Sequence, residues 1–184
     1  MNEITTLRKE TMPVSVEAEQ QVLGEMLLTN CEGAGYNAAM RAGGVDLFHD
    51  PVHQRIFEAC HKKAMQGFLV SPVTVADVIR EDPGLKDLGG PGYLARMAGT
   101  VMGGGQHYVL LLADLKRKRE LIQAMNEAQA AIAQGEDADV TASRLEASLI
   151  SADPVGMSRP VSLAQALTGA TDLMVAAYHG EDGG

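Results

Sequence analysis

Apolar residues recur at intervals of three and four along most of this chain, and no stretch alternates apolar and polar positions over the length of a strand. The pattern predicts an all-α protein. Its longest periodic stretch, Gln106 to Gln134, reads QHYVLLLADLKRKRELIQAMNEAQAAIAQ and is rich in strong helix formers, with no proline and no internal glycine. At roughly 1.5 Å per residue it makes a helix ~43 Å long. Tyr108, Leu111, Leu115, Ile122, Met125 and Ile132 follow the spacing of an a/d seam, interrupted by Lys118 and Gln129. Gly135 breaks the run, Asp139 offers a cap, and Val140 to Ser151 carries Val140, Leu145, Leu149 and Ile150. The two segments predict an antiparallel helical hairpin. Its second arm is much the shorter, so part of the long seam needs another cover, and a second copy of the chain would supply it. The predicted oligomer interface is Tyr108, Leu111, Leu115, Lys118, Ile122, Met125 and Ile132, with Leu145 and Leu149 from the second arm. Lys118 at a seam position would set register.

Upstream, residues 13–102 read as a headpiece of short helices behind a polar, disordered tail of residues 1–12. Ser15 is placed to cap the first helix, with Glu17 and Glu19 in its first turn and Val22, Leu23, Met26 and Leu27 on its apolar face. A second helix is expected over Tyr36 to Arg41. Asp50-Pro51 and Ser71-Pro72 each pair a cap residue with proline at the first helical position. The first of these helices turns Ile56, Phe57, Cys60 and Ala64 inward, and the second turns Val75, Val78 and Ile79 inward. Pro83-Gly84 is expected to end the latter, and Tyr93 to Ala98 adds one more short helix. Gly103 to Gly105 form the joint to the hairpin, residues 103–152. Residues 153–161 read as a linker. Ser162 caps a final amphipathic helix within 162–184, whose apolar side holds Leu163, Leu167, Ala170 and Met174. That side is expected either to dock on the hairpin or to meet a partner.

Composition narrows the functional classes. There is no Trp and only 3 Phe, so Leu, Val, Ile, Ala and 10 Met must build the core. A formal net charge of -9 argues against a dedicated nucleic-acid-binding domain. No apolar run approaches the roughly 20 residues a bilayer span needs, and the N-terminus has no signal-peptide core. Cys31 and Cys60 lack CxxC spacing and read as small buried hydrophobes in a reducing cytoplasm rather than a disulfide or metal pair.

The search for chemistry yields no constellation. His49 and His53 have HxxxH spacing, but His49 precedes the cap, so capping and surface roles are expected over a metal site. No lysine follows glycine, which excludes the end of a phosphate-binding P-loop, and neither GxSxG nor HExxH occurs. Catalytic and metal-binding residues are therefore expected to be absent. The run Lys116-Arg117-Lys118-Arg119 reads as a solvated face with acidic neighbours, before a nucleic-acid contact. The residues describe an interaction module.

Several motifs also carry a family resemblance. SVEAEQQVLGEMLL resembles the segment S-x-E-A-E-Q-x-V-L-G-x-[LM]-L that opens the N-terminal domain of DnaB-type replicative DNA helicases. LFHDPVHQRIFEAC is similar to F-x-x-x-x-H-x-x-I-F-x-A through Phe48, His53, Ile56, Phe57 and Ala59, and VTVADVI follows. LGGPGYLARMA is similar to G-G-x-x-Y-L-x-x-L-A, and Tyr108 with Arg119-Glu120-Leu121-Ile122 matches Y-A … R-E-L-I. The resemblance covers about residues 13 to 152. It implies a helical headpiece and hairpin that pairs into dimers, possible assembly as a trimer of dimers, recruitment of primase or helicase loader, and a linker helix docking on a neighbouring subunit's motor domain. DNA contact would be indirect, and ATP and magnesium would belong to a motor absent from this chain. Gly103 to Gly105 replace an Ala-Asn stretch, which implies a looser joint, as Gly35, Gly43 and Gly44 do for the second helix. The alternatives are a free-standing regulator that binds a full-length helicase and a small nucleic-acid-binding helical protein.

Overall fold

The computed structural model describes residues 12–151, within one compact unit; the expected linker and final helix, with Leu163, Leu167, Ala170 and Met174, lie outside the described residues. These residues are all helical, with no strand among them. The order is α1 (Val16–Leu28), α2 (Ala34–Arg41), a 3-10 turn (Gly44–Leu47), α3 (Pro51–Met65), α4 (Pro72–Ile79), α5 (Pro83–Asp87), α6 (Pro91–Gly99), α7 (Gly105–Ala133) and α8 (Ala138–Ser151).

Local chemistry sets the helix starts. Ser15 Oγ accepts from Ala18 N–H at 3.2 Å, and Asp50 Oδ1 accepts from Val52 N–H at 2.7 Å, one residue after Pro51. At α4 a capping box closes, with Ser71 Oγ and Thr74 Oγ1 exchanging bonds with each other's backbone N–H. Pro83-Gly84 does not merely end α4. Asp82 accepts from Leu85 N–H at 2.9 Å and Pro83 takes the first helical position, so the residues expected as a loop open the one-turn α5. Val78, expected inward, is exposed, whereas Val75 and Ala76 are buried and Ile79 packs half-buried against the core.

Two helices share the centre of the packing: α7 packs on α1, α2, the 3-10 turn and α8, and α1 packs on α2, α3, α6 and α7. Its Val22, Leu23, Met26 and Leu27 are buried at the centre of a core that includes Phe48, Ile56, Phe57, Val75, Leu85, Leu94, Val109 and Leu112. Phe48 and Phe57 meet at 5.1 Å between ring centroids, the aromatic contact inside a largely aliphatic interior.

Arg55 Nε reaches Asp82 Oδ2 at 2.5 Å, tying α3 to the start of α5. The Arg55 hydrogen bond, followed by the Leu85 N–H, holds the Asp82 carboxyl below its ordinary value. A depressed folded pKa contributes stability above the unfolded value of roughly 3.9, lost as pH falls through the lower folded value. Wild type is therefore expected to exceed Asp82→Asn in stability at neutral pH. The gap should close in acid, as read by urea unfolding at a series of pH values.

Candidate protein-docking surface

The polar residues of α1 turn the headpiece into a fixed platform. Glu19 is buried rather than serving the helix dipole at the surface. Its carboxylate accepts from the backbone N–H of His49 at 2.6 Å and of Asp50 at 3.4 Å, and it holds His53 Nδ1 at 2.6 Å. His53 is 0% exposed, which corrects the expectation of a capping or surface role. Its Nε2 lies 2.6 Å from the Tyr93 hydroxyl, which also accepts from Gln20 Nε2 at 2.9 Å. The donor order that satisfies every atom runs from Gln20 to the Tyr93 oxygen, from the Tyr93 hydroxyl to His53 Nε2, and from His53 Nδ1 to Glu19. Burial raises the Tyr93 pKa and keeps that phenol a donor. With both ring nitrogens engaged, His53 shares no metal geometry with the exposed His49. Among the described residues no group of three or more His, Cys, Asp or Glu is placed around a cation.

A second buried carboxylate on α1 fixes the joint to the hairpin. Glu25 Oε1 accepts from Gly35 N–H at 2.9 Å, and Oε2 accepts from Gly105 N–H at 2.7 Å, so one side chain holds the N-terminal ends of α2 and α7. A Cβ on Gly105 would lie 2.0 Å from Glu25 Oε2, and only glycine permits that approach. Gln21 adds bonds to Thr100 O at 3.0 Å and from Met102 N–H at 2.9 Å. The glycine joint read as looser is thus tied on two sides. Gly103 and Gly104, at φ 83 and 74, supply the left-handed backbone that brings α7 to Glu25.

Arg119 anchors the middle of α7. It is 9% exposed and donates to Pro13 O at 3.1 Å and Leu47 O at 3.2 Å. Burial presses its pKa down against the opposing pull of Glu19 and Glu120. The basic run is consequently no uniform solvated face. Arg119 points into the protein, Lys116 pairs with Glu120 at 2.7 Å, and Lys118 pairs with Asp114 at 2.5 Å.

The face of α7 that enters the core is one residue away from the expected seam. Val109, Leu112 and Arg119 are buried, whereas the a/d reading chose Tyr108, Leu111 and Leu115. With VLLL at 109–112 the helix is apolar nearly all round at this level, so spacing alone does not choose a face. The seam residues then divide. Tyr108, Leu115 and Ile122, seven apart, are half-buried, and the first two pack against the core. Leu111, Lys118, Met125 and Ile132, also seven apart, form an open stripe, with Met125 55% and Ile132 59% exposed. On the shorter arm Leu145 lines the gap between α7 and α8 beside Ala124 and Ala128, and Leu149 is exposed. The turn into α8 is capped by Asp137, which accepts from Asp139 N–H at 2.9 Å; Asp139, the expected cap, lies inside the first turn.

Comparison with known proteins places this architecture. A family model described as the DnaB-like helicase N-terminal domain matches residues 11–114. The replicative DNA helicase DnaB of Rickettsia prowazekii is 29% identical over 118 residues, covering 63% of this chain and 24% of that protein. Its counterpart in Geobacillus stearothermophilus is 31% identical over 113 residues, covering 60% and 24%. The chain thus spans about a quarter of the length of the curated relatives it matches. The crystal structure of the N-terminal domain of DnaB helicase from Mycobacterium tuberculosis superposes with a TM-score of 0.65 at 26% identity, covering 77% of this chain and 99% of that one. With the family model spanning more than half its length, this chain belongs to the DnaB-like helicase N-terminal domain family.

Proposed function

We propose that this chain is the self-association and partner-docking domain of a DnaB-like replicative DNA helicase. Hairpins of two copies pair along the open stripe, and a trimer of such dimers would form a collar that receives primase or a helicase loader. The segment with Leu163, Leu167, Ala170 and Met174 would dock on the motor domain of a neighbouring subunit. DNA contact, ATP and magnesium belong, in this reading, to the assembled helicase and its motor.

The observation that supports it is the stripe Leu111, Lys118, Met125 and Ile132, open along a helix that packs elsewhere on the headpiece and α8. A two-fold pairing sets the same surface of each copy against the other, so each substitution acts twice. Burying an apolar side chain contributes about 1.5–3 kcal/mol. Met125→Asp and Ile132→Asp are each expected to raise the dimer dissociation constant about tenfold or more. Both positions are exposed within one chain, so helicity should hold, and the unfolding midpoint should match wild type at concentrations where both are monomeric. Sedimentation of the two variants beside wild type reads the effect; unchanged association in both would refute the stripe as the interface.

A further inference from the structure

The turn that joins α3 to α4 holds large apolar side chains out in solvent. Met65, Phe68 and Leu69 are 72%, 61% and 61% exposed, although Val70 beside them is buried. Hydrogen bonds pin the backbone in this arrangement. Gly67, at φ 73, ends α3, and the Phe68 N–H donates to Lys63 O at 3.0 Å. Asn30 accepts from Val70 N–H at 2.7 Å, and the Thr74 hydroxyl donates to Leu69 O at 2.7 Å. Asn30 and Cys31 approach this turn from the end of α1 at φ 57 and 58, a left-handed conformation that is costly for residues with a side chain. Met65, Phe68 and Leu69 line, with Tyr36 and Ala64, one open cleft of about 590 Å³. Single exposed apolar residues are ordinary on a protein surface, but three on one cleft mark an interaction site.

Charge beside the cleft selects its occupant. Lys62 and Lys63 fall in the last turn of α3, with Lys62 one turn before Met65 and the Lys63 ammonium 5.9 Å from the centre of the Phe68 ring. Lys86, Lys116 and Lys118 each pair with a carboxylate, whereas Lys62 and Lys63 are the two lysines among the described residues that pair with none. The carboxylate on the cleft, that of Glu32, is taken up by Asn30 Nδ2 at 3.0 Å. We propose, resting on the docking role above, that this cleft seats an acidic amphipathic helix of a partner protein. Its apolar side chains would lie among Met65, Phe68 and Leu69, and its carboxylates would meet Lys62 and Lys63. The described residues offer no strand edge to which a partner could add a strand, so a helix laid in the cleft is the mode that fits. This selectivity opposes the net charge of -9, which by itself repels an acidic ligand.

The test titrates the full chain into a fluorescent synthetic peptide and reads anisotropy. The peptide is an amphipathic helix with Leu and Phe on one face and Glu on the other. Saturable binding is expected, about tenfold or more tighter than that of the same peptide with Lys for every Glu, and weakened by salt. Phe68→Ser, and Lys62→Glu combined with Lys63→Glu, are each expected to weaken binding of the Glu peptide about tenfold or more. Met125→Asp, on the open stripe of α7, is expected to leave peptide binding unchanged, which separates this site from self-association. No saturable binding, equal or tighter binding of the Lys peptide, or binding unmoved by Phe68→Ser would overturn the proposal. So would a fall in the mass of the chain in solution on Phe68→Ser, which would seat a second copy in the cleft, or binding to anionic lipid vesicles in place of the peptide. If Phe68→Ser does not fold, the lysine pair decides.

Discussion

Glu19→Ala is expected to lower the stability of the chain by about 3–5 kcal/mol, since three donors lose their acceptor at about 1–3 kcal/mol each. The carboxylate is the terminus of the Gln20–Tyr93–His53 chain and the acceptor for the His49 and Asp50 N–H groups at the entry to α3. Truncation leaves His53 Nδ1 without its acceptor in a site with no exposed surface, and it also leaves a void beside α3. Glu19→Gln keeps the volume but turns an amide NH₂ towards some of the same donors, so its loss should be intermediate. Urea unfolding with an unchanged m value measures both. A Glu19→Ala loss within about 0.5 kcal/mol, the scale of an ordinary surface change, would contradict the buried network.

Glu25→Ala is expected to cost about 2–4 kcal/mol, because it removes the acceptor from two backbone N–H groups at once, those of Gly35 and Gly105. Gly105→Ala should cost nearly as much by the reverse route. Its new Cβ takes the place of the carboxylate, and a side chain tip that would yield cheaply at the surface is here buried and doubly bonded. The two effects share one cause and should not add. In the Glu25→Ala background, Gly105→Ala is expected to change stability by less than about 0.5 kcal/mol, and the double-mutant cycle reads the coupling directly. Additive losses would mean that the joint is held by something other than this carboxylate.

The helices were legible in the sequence where short-range chemistry specifies them. Ser15, Asp50-Pro51 and Ser71-Pro72 start helices in the structure as their side chains predict, and Gly135 ends the long one. What spacing could not supply was long-range pairing. Glu19 and Glu25 look like ordinary acidic residues on an amphipathic helix, since their donors come from 30 and 80 residues away. Arg119 reads as part of a charge run because its two carbonyl acceptors belong to Pro13 and Leu47. Family resemblance carried a signal for these positions, because Glu19, His53, Tyr93 and Arg119 all fall within the matched motifs, but it did not say that they meet. Which face of α7 turns to the core is open for a different reason, the excess of leucine around 109–112, which leaves spacing without a preference.

The central claim is that the stripe of Leu111, Lys118, Met125 and Ile132 joins copies of this chain. The mass of the purified chain in solution across a concentration series tests it most directly. A dimer, or a hexamer built from dimers, that dissociates on dilution and is weakened by Met125→Asp is the predicted result. A strict monomer at the highest concentration would contradict the account.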